Sequence, residues 1–194
     1  LPVETVTIHG NTAIRNAFER NGYAKKKGTY VHESRGMING YNVYDQSSEY
    51  TVHKPFETFT AGKYVVTALP AKHIPEENCF IYLVREGDKT LLYATDTGYF
   101  KRSVFDYFVK NGIKLDAMIV DSTYGLVCSS DKAHMNFFDN DELRKELMSL
   151  GIIDEKTQCY LTHIFHGAAK DLDLLEKAVP EGYTLLRDGY TFTI

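Results

Sequence analysis

The chain has 194 residues, 25% of them charged, and a net charge of −4. Such a length suits a single domain over residues 1–194 with a sizeable core, and the acidic balance argues against nonspecific binding of nucleic acid through the overall field. There is no apolar run of membrane-spanning length and no signal-peptide pattern, so the expectation is a cytoplasmic protein with no membrane partner.

"VETVTIHG" (3–10) predicts a strand with Val6 and Ile8 as its apolar residues. "NTAIRNAFERNG" predicts a helix with Ile14, Ala17 and Phe18 on one face and Gly22 at its C-terminal end. Lys25, Lys26 and Lys27 read as a solvated loop before Gly28. Residues 29–60 read as short strands and loops. "KYVVTALPAKH" is a strand ended by Pro70, and "NCFIYLVREGDKTLLYATDTG" is a hairpin turning at Gly87.

"KRSVFDYFVKNG" predicts a helix with Val104, Phe105, Phe108 and Val109 inward and Gly112 beyond its end. "KLDAMIVDST" has the Met-Ile-Val run of a buried strand. "DNDELRKELMSLG" predicts a helix, with Asp139 and Glu142 at capping-box spacing and Gly151 closing it. "QCYLTHIF" is a strand, "DLDLLEKAV" a helix closed by Pro180, and "YTLLRDGYTFTI" a final hairpin around Asp188-Gly189. Strands with single helices between them argue a layered α/β domain. Cys79, Cys128 and Cys159 are widely spaced with no CxxC, which predicts reduced, buried thiols.

Four chemistry-bearing residues fall just past apolar strands: His73, Asp96, Asp121 and His163. Strand ends are rigid platforms, and the loops beyond them carry function in layered α/β folds. Each residue also has a plainer reading. Asp96 and Asp121 suit turns or helix caps, and His73 and His134 suit exposed loops. Together they offer imidazole and carboxylate ligands that suit a borderline metal ion.

In order, "ALPAKH … NCFIYLV … KTLLYATDTG … LDAMIVDSTYG … AHMN … YLTHIFH" resembles the metallo-β-lactamase fold, over about residues 52 to 194. It is most similar to the phosphodiesterase branch, which holds the phosphoribosyl cyclic phosphodiesterases and the tRNA 3′-processing endonucleases (tRNase Z). The resemblance implies a four-layer αββα sandwich. It implies that His73 and His163 bind metal and that Asp96 bridges two ions. It also implies that His134 protonates the leaving oxygen and that Asp121 orients His134. The implied cofactor is a divalent metal, zinc first, with manganese or iron as alternatives. His166 is a candidate substrate contact, reachable if the chain turns after Ile164.

The family's first motif, HxHxDH, is absent: His9, His32 and His53 stand apart. The sequence therefore resembles the fold without its N-terminal segment. That implies one bound ion or none, and an exposed sheet edge able to pair with a second copy. The expected function is metal-dependent hydrolysis of a phosphodiester in the intact protein. A small or cyclic nucleotide-like substrate is preferred to RNA, because no long Gly/Pro-rich arm is present. The alternatives are a lactam, lactone or thioester hydrolase of the same fold, or a non-catalytic, partner-binding module.

Overall fold

The computed structural model describes residues 6–20, 23–26, 29–32, 37–38, 41–42, 47–129, 131–168 and 172–194. They fall into two compact units. One runs up to Lys54 and includes Glu76–Asn78, and the other comprises Pro55–Pro75 and Cys79–Ile194.

The first unit contains β1 (Val6–Gly10), α1 (Thr12–Arg20), β2 (Tyr23–Lys26), β3 (Thr29–His32), β4 (Met37–Ile38), β5 (Tyr41–Asn42) and β6 (Ser47–Val52). A four-stranded sheet has the order β1-β6-β3-β2, with β1 and β6 parallel, and β4 and β5 form a separate pair. Asn11 caps α1: its Oδ1 accepts the Ile14 N–H at 2.9 Å, and its Nδ2 donates to the carbonyls of Glu77 and Asn78. Gly10 leaves the space that Tyr50 Oη occupies on its way to the Asn11 carbonyl, 3.1 Å away.

Three expectations change in this unit. Lys25 and Lys26 belong to β2 rather than a loop, because they pair with Tyr30 and Thr29, whereas Lys27 lies outside the described residues. Ile14 is exposed rather than inward, and the side chains of Ala17 and Phe18 and all of Gly22 lie outside the described residues. His9 and His53 do not stand apart. The parallel β1–β6 register brings His9 Nδ1 within 2.9 Å of His53 Nε2, with the rings stacked. Burial, and then the neighbouring His53, holds the His9 imidazole below its usual pKa.

The second unit is built on seven strands: β7 (Thr58–Ala61), β8 (Tyr64–Pro70), β9 (Phe80–Glu86), β10 (Lys89–Ala94), β11 (Ala117–Asp121), β12 (Gln158–Thr162) and β13 (Tyr183–Leu185). Their order is β13-β12-β11-β10-β9-β8-β7. From β7 to β10 neighbours run antiparallel, and from β10 to β13 they run parallel. Three helices connect the parallel strands: α2 (Arg102–Lys110), α3 (Phe137–Ser149) and α4 (Leu172–Lys177). Register places Leu83, Leu92, Met118 and Cys159 side by side across one sheet face. Val104, Phe105 and Phe108 of α2, Leu143 and Leu147 of α3 and Leu175 of α4 share a core with them. Full burial of each such side chain contributes about 1.5–3 kcal/mol, which makes the parallel strands a firm base for their loops.

Here too some expectations are corrected. Val109 is exposed, because the inward arc of α2 ends at Phe108. Helix α3 starts two residues before the expected Asp139. Asn136 is its cap, the capping box joins Asn136 to Asp139 rather than Asp139 to Glu142, and buried Phe137 supplies the first turn. The strand at 158–165 stops at Thr162 because His163 takes φ +68°. Asp188-Gly189 does turn the chain, with Gly189 at φ +81°, but no return strand follows. Phe192 instead packs on Tyr160, with ring centroids 4.4 Å apart, and the Thr193 carbonyl accepts from Gln158 Nε2. All three thiols are free, yet only Cys159 is fully buried. Cys79 is half-buried and Cys128 is exposed on the β11–α3 loop. Burial pushes the Cys159 thiol up to about 11. Among the described residues no helix is long and apolar enough to cross a membrane.

Candidate metal centre

The loops that leave β8, β10, β11 and β12 at one end of the sheet are tied to one another by hydrogen bonds. Buried Thr97 accepts the Lys72 N–H on its hydroxyl at 2.9 Å, and the Gly98 N–H donates to the Lys72 carbonyl at 2.8 Å. These bonds hold the His73 loop beside the Asp96 loop. Gly98 has a second task. A Cβ there would run into the Lys132 carbonyl, so glycine lets the loop carrying His134 lie against the Asp96 loop. The Ser122 N–H donates to the Thr162 carbonyl and the Phe165 N–H to the Thr123 carbonyl, which fixes His163 beside the end of β11.

Asp96 has φ +51° and His163 has φ +68°, a left-handed conformation that non-glycine residues adopt at a cost. Both bends turn their side chains toward one point. His163 Nε2 lies 3.3 Å from Asp96 Oδ1, and His73 Nε2 lies 3.9 Å from the same oxygen. Ligand atoms about 2.1 Å from a tetrahedral zinc stand about 3.4 Å apart, so the Asp96–His163 spacing suits donors to a common ion, and His73 stands somewhat further off. Two imidazoles and a carboxylate, with Asp96 more than half exposed, leave room for water to complete the coordination. By donor chemistry and spacing the residues present fit a divalent ion.

Asp121 occupies the end of β11 with its side chain fully buried. Its Oδ1 accepts the backbone N–H groups of Thr123 and Met135, at 3.0 and 3.2 Å. Its Oδ2 lies 2.8 Å from His134 Nδ1. A carboxylate only accepts, so His134 carries its proton on Nδ1 and keeps Nε2 for other contacts. Below Asp121, buried Asn140 of α3 donates from Nδ2 to the Asp121 carbonyl at 2.9 Å, which anchors the strand end to the helix. The His134 ring stacks on His163 at 5.6 Å and meets His73 edge-on at 4.9 Å.

Asp96, Asp121, His134 and His163 each offer a ligand atom within 4.8 Å of the others. That grouping counts Asp121 and His134 as ligands and leaves out His73, which reaches the cluster through Asp96 and the His134 ring. The Asp121–His134 hydrogen bond and the two backbone bonds on Asp121 leave that pair better suited to a supporting role. Five of the six residues singled out in the sequence therefore come together. The sixth, His166, is exposed, and its nearest ring partner is Phe165. The chain bends at His163 and turns again over 165–168, where the Ala168 N–H donates to the Phe165 carbonyl at 2.8 Å. Sequence reasoning missed Thr97, Gly98, Asn140 and Thr123. Only Thr123, two residues beyond Asp121 in "DST", carried a signal.

No protein-family model and no curated protein matches the sequence. Solved structures do. The chain aligns over 96% of its length with the metallo-β-lactamase fold protein YhfI from Bacillus subtilis, at 21% identity and a TM-score of 0.62. It aligns over its full length with the short form of human tRNase Z, at 15% identity and 0.59, covering 69% of that chain. The full chain also aligns with Zn²⁺-bound PqqB from Methylobacterium extorquens, at 12% identity and 0.56. The chain spans 64% of the YhfI chain and 66% of the PqqB chain. At these identities the likeness shows the fold, and the chain has the metallo-β-lactamase fold.

Proposed function

We propose that this chain belongs to a metal-dependent hydrolase that cleaves a phosphodiester, with His73, Asp96 and His163 as ligands of a divalent ion, zinc first. The bound ion would supply Lewis-acid stabilisation of charge on the phosphoryl oxygens.

The carrying observation is the Asp121–His134 pair, at 2.8 Å, stacked on the ligand imidazole of His163. An alkoxide leaving a phosphodiester needs a proton. A histidine whose Nδ1 is held by a buried carboxylate presents Nε2 in a fixed direction to give one. Opening a lactam or thioester makes less demand on such a pair. The half-exposed Asp96 leaves the centre open to a small substrate. A small or cyclic nucleotide-like phosphodiester is preferred to RNA, because a net charge of −4 does little to attract a polyanion.

The test uses the zinc-loaded protein, both as this chain and extended upstream of Leu1. It is given bis(p-nitrophenyl) phosphate, p-nitrophenyl acetate and a chromogenic lactam. The expected result is cleavage of the phosphodiester, and in His134→Ala a loss of about 10²- to 10⁴-fold on a dialkyl phosphodiester, whose alkoxide needs the proton that p-nitrophenolate does not. Cleavage of the ester or lactam with the phosphodiester spared would make it an acyl hydrolase instead. An extended protein that binds no zinc would leave a non-catalytic module.

A further inference from the structure

Thr123 stands between the two imidazoles to which the proposed function gives different tasks. It is buried, and its Oγ1 lies 2.8 Å from His163 Nδ1 and 3.0 Å from His134 Nδ1. Both ends of its backbone are held. Its N–H donates to Asp121 Oδ1 at 3.0 Å, and its carbonyl accepts the Phe165 N–H at 2.9 Å. The hydroxyl can rotate, but the oxygen cannot move far.

A proton inventory restricts what this hydroxyl can do. It has one proton to give and two lone pairs. His134 Nδ1 already carries a proton, because it faces the Asp121 carboxylate, so toward His134 the hydroxyl only accepts. Toward His163 two arrangements remain. In one, Thr123 donates into Nδ1 and the neutral ring carries its proton on Nε2, with Asp96 Oδ1 3.3 Å from that nitrogen. In the other, His163 donates from Nδ1 to Thr123, with Asp121 Oδ2 also 3.6 Å from that nitrogen, and Nε2 is left with a lone pair. Only the second can ligate an ion through Nε2.

We propose that Thr123 is a positioning residue that sets the tautomer of His163, its hydroxyl turning from donor in the ion-free protein to acceptor when an ion binds at Nε2. The ring stays neutral throughout. Its Nε2 proton leaves to water, Nδ1 takes one from water, and Thr123 keeps its own. Because the same oxygen also accepts from His134, the turn ties the ligand imidazole to the proton-giving one without movement of the backbone. This inference rests on the reading of His163 as a ligand.

The test is a long-range ¹⁵N–¹H spectrum of imidazole-labelled protein with and without zinc, joined to zinc titration calorimetry of Thr123→Val, Thr123→Ser and His163→Ala. The expected spectrum shows His163 protonated at Nε2 without zinc and at Nδ1 with it. Thr123→Val is expected to lose about 10- to 100-fold in zinc affinity, the usual cost of removing a ligand's supporting partner. Thr123→Ser, which keeps the hydroxyl, is expected to bind as the wild type does. A His163 proton on Nδ1 in both states overturns the proposal, and so does unchanged affinity in Thr123→Val. Should Thr123→Val fail to fold, the wild-type spectra still decide. If His163→Ala binds zinc as tightly as the wild type, the ligand reading itself fails. If His163→Ala loses zinc while Thr123→Val keeps it, only the role of Thr123 fails.

Discussion

The parallel strands β10, β11 and β12 have two ends, and the ends follow opposite rules. Where they start, polar groups are closed by local partners. Lys89 Nζ meets Asp116 Oδ1 at 3.0 Å, and the Thr90 N–H donates to Asp116 Oδ2. The Thr157 hydroxyl donates to the Leu115 carbonyl. Where the strands finish, a carboxylate is buried, two residues bend into left-handed backbone, and three imidazoles crowd together. The same core supports both ends. The starting end closes its polar groups on one another, whereas the finishing end accepts strain to aim side chains, as functional sites do.

Mutations should separate the two ends. The largest effect is expected from Asp121→Ala, which removes a buried acceptor and orphans His134 and two backbone N–H groups. A loss of about 3–5 kcal/mol in urea unfolding is expected. The matching change at the other end, Asp116→Ala, should cost no more than about 1 kcal/mol. Gly98→Ala comes next. Its new Cβ must push the Lys132 carbonyl away, at about 1–3 kcal/mol. It should also weaken zinc binding in a calorimetric titration, because the clash displaces the loop that carries Asp96 as well as Lys132. Asp96→Asn sharpens the contrast in the other direction. Asparagine tolerates the same left-handed backbone, so the melting temperature should hold, while zinc affinity drops with the loss of a charged ligand.

The smallest effect is a pH difference at the starting end. Burial raises the Asp116 carboxyl, but Lys89 and the Thr90 amide outweigh it and hold the group below its usual pKa. A depressed carboxyl adds stability that is present above its unfolded pKa and is lost as pH falls through the folded one. Asp116→Asn should therefore be slightly less stable than the wild type at pH 7. The two unfolding curves should converge below about pH 4.

The regular elements were readable wherever apolar period and punctuation agreed. The β9–β10 hairpin around Gly87, the buried β11 and the start of α2 follow from their own residues. Errors arose where two local rules competed. Asn136/Asp139 and Asp139/Glu142 have the same spacing, and only burial of Phe137 decides between them. "DG" promised a hairpin, yet the edge strand β13 pairs in parallel with β12, and Phe192 gains more by packing on Tyr160. The candidate site was readable as residue types at strand ends, because His and Asp past apolar runs stand out. Its supports were not. Thr97 and Gly98 act from loop to loop and Asn140 from helix to strand end, through contacts that no spacing along the chain encodes. The closeness of His9 to His53 depends on a parallel register between strands far apart in sequence.

The central claim is that His73, Asp96 and His163 form the first coordination sphere of a metal ion. X-ray absorption on the zinc-loaded chain tests it most directly, because a competing donor is close by: Cys79 Sγ lies 3.8 Å from His73 Nδ1. The account predicts a nitrogen and oxygen shell at about 2.0–2.1 Å with imidazole scattering beyond it and no sulfur. A sulfur shell near about 2.3 Å, or the absence of imidazole scattering, would contradict it.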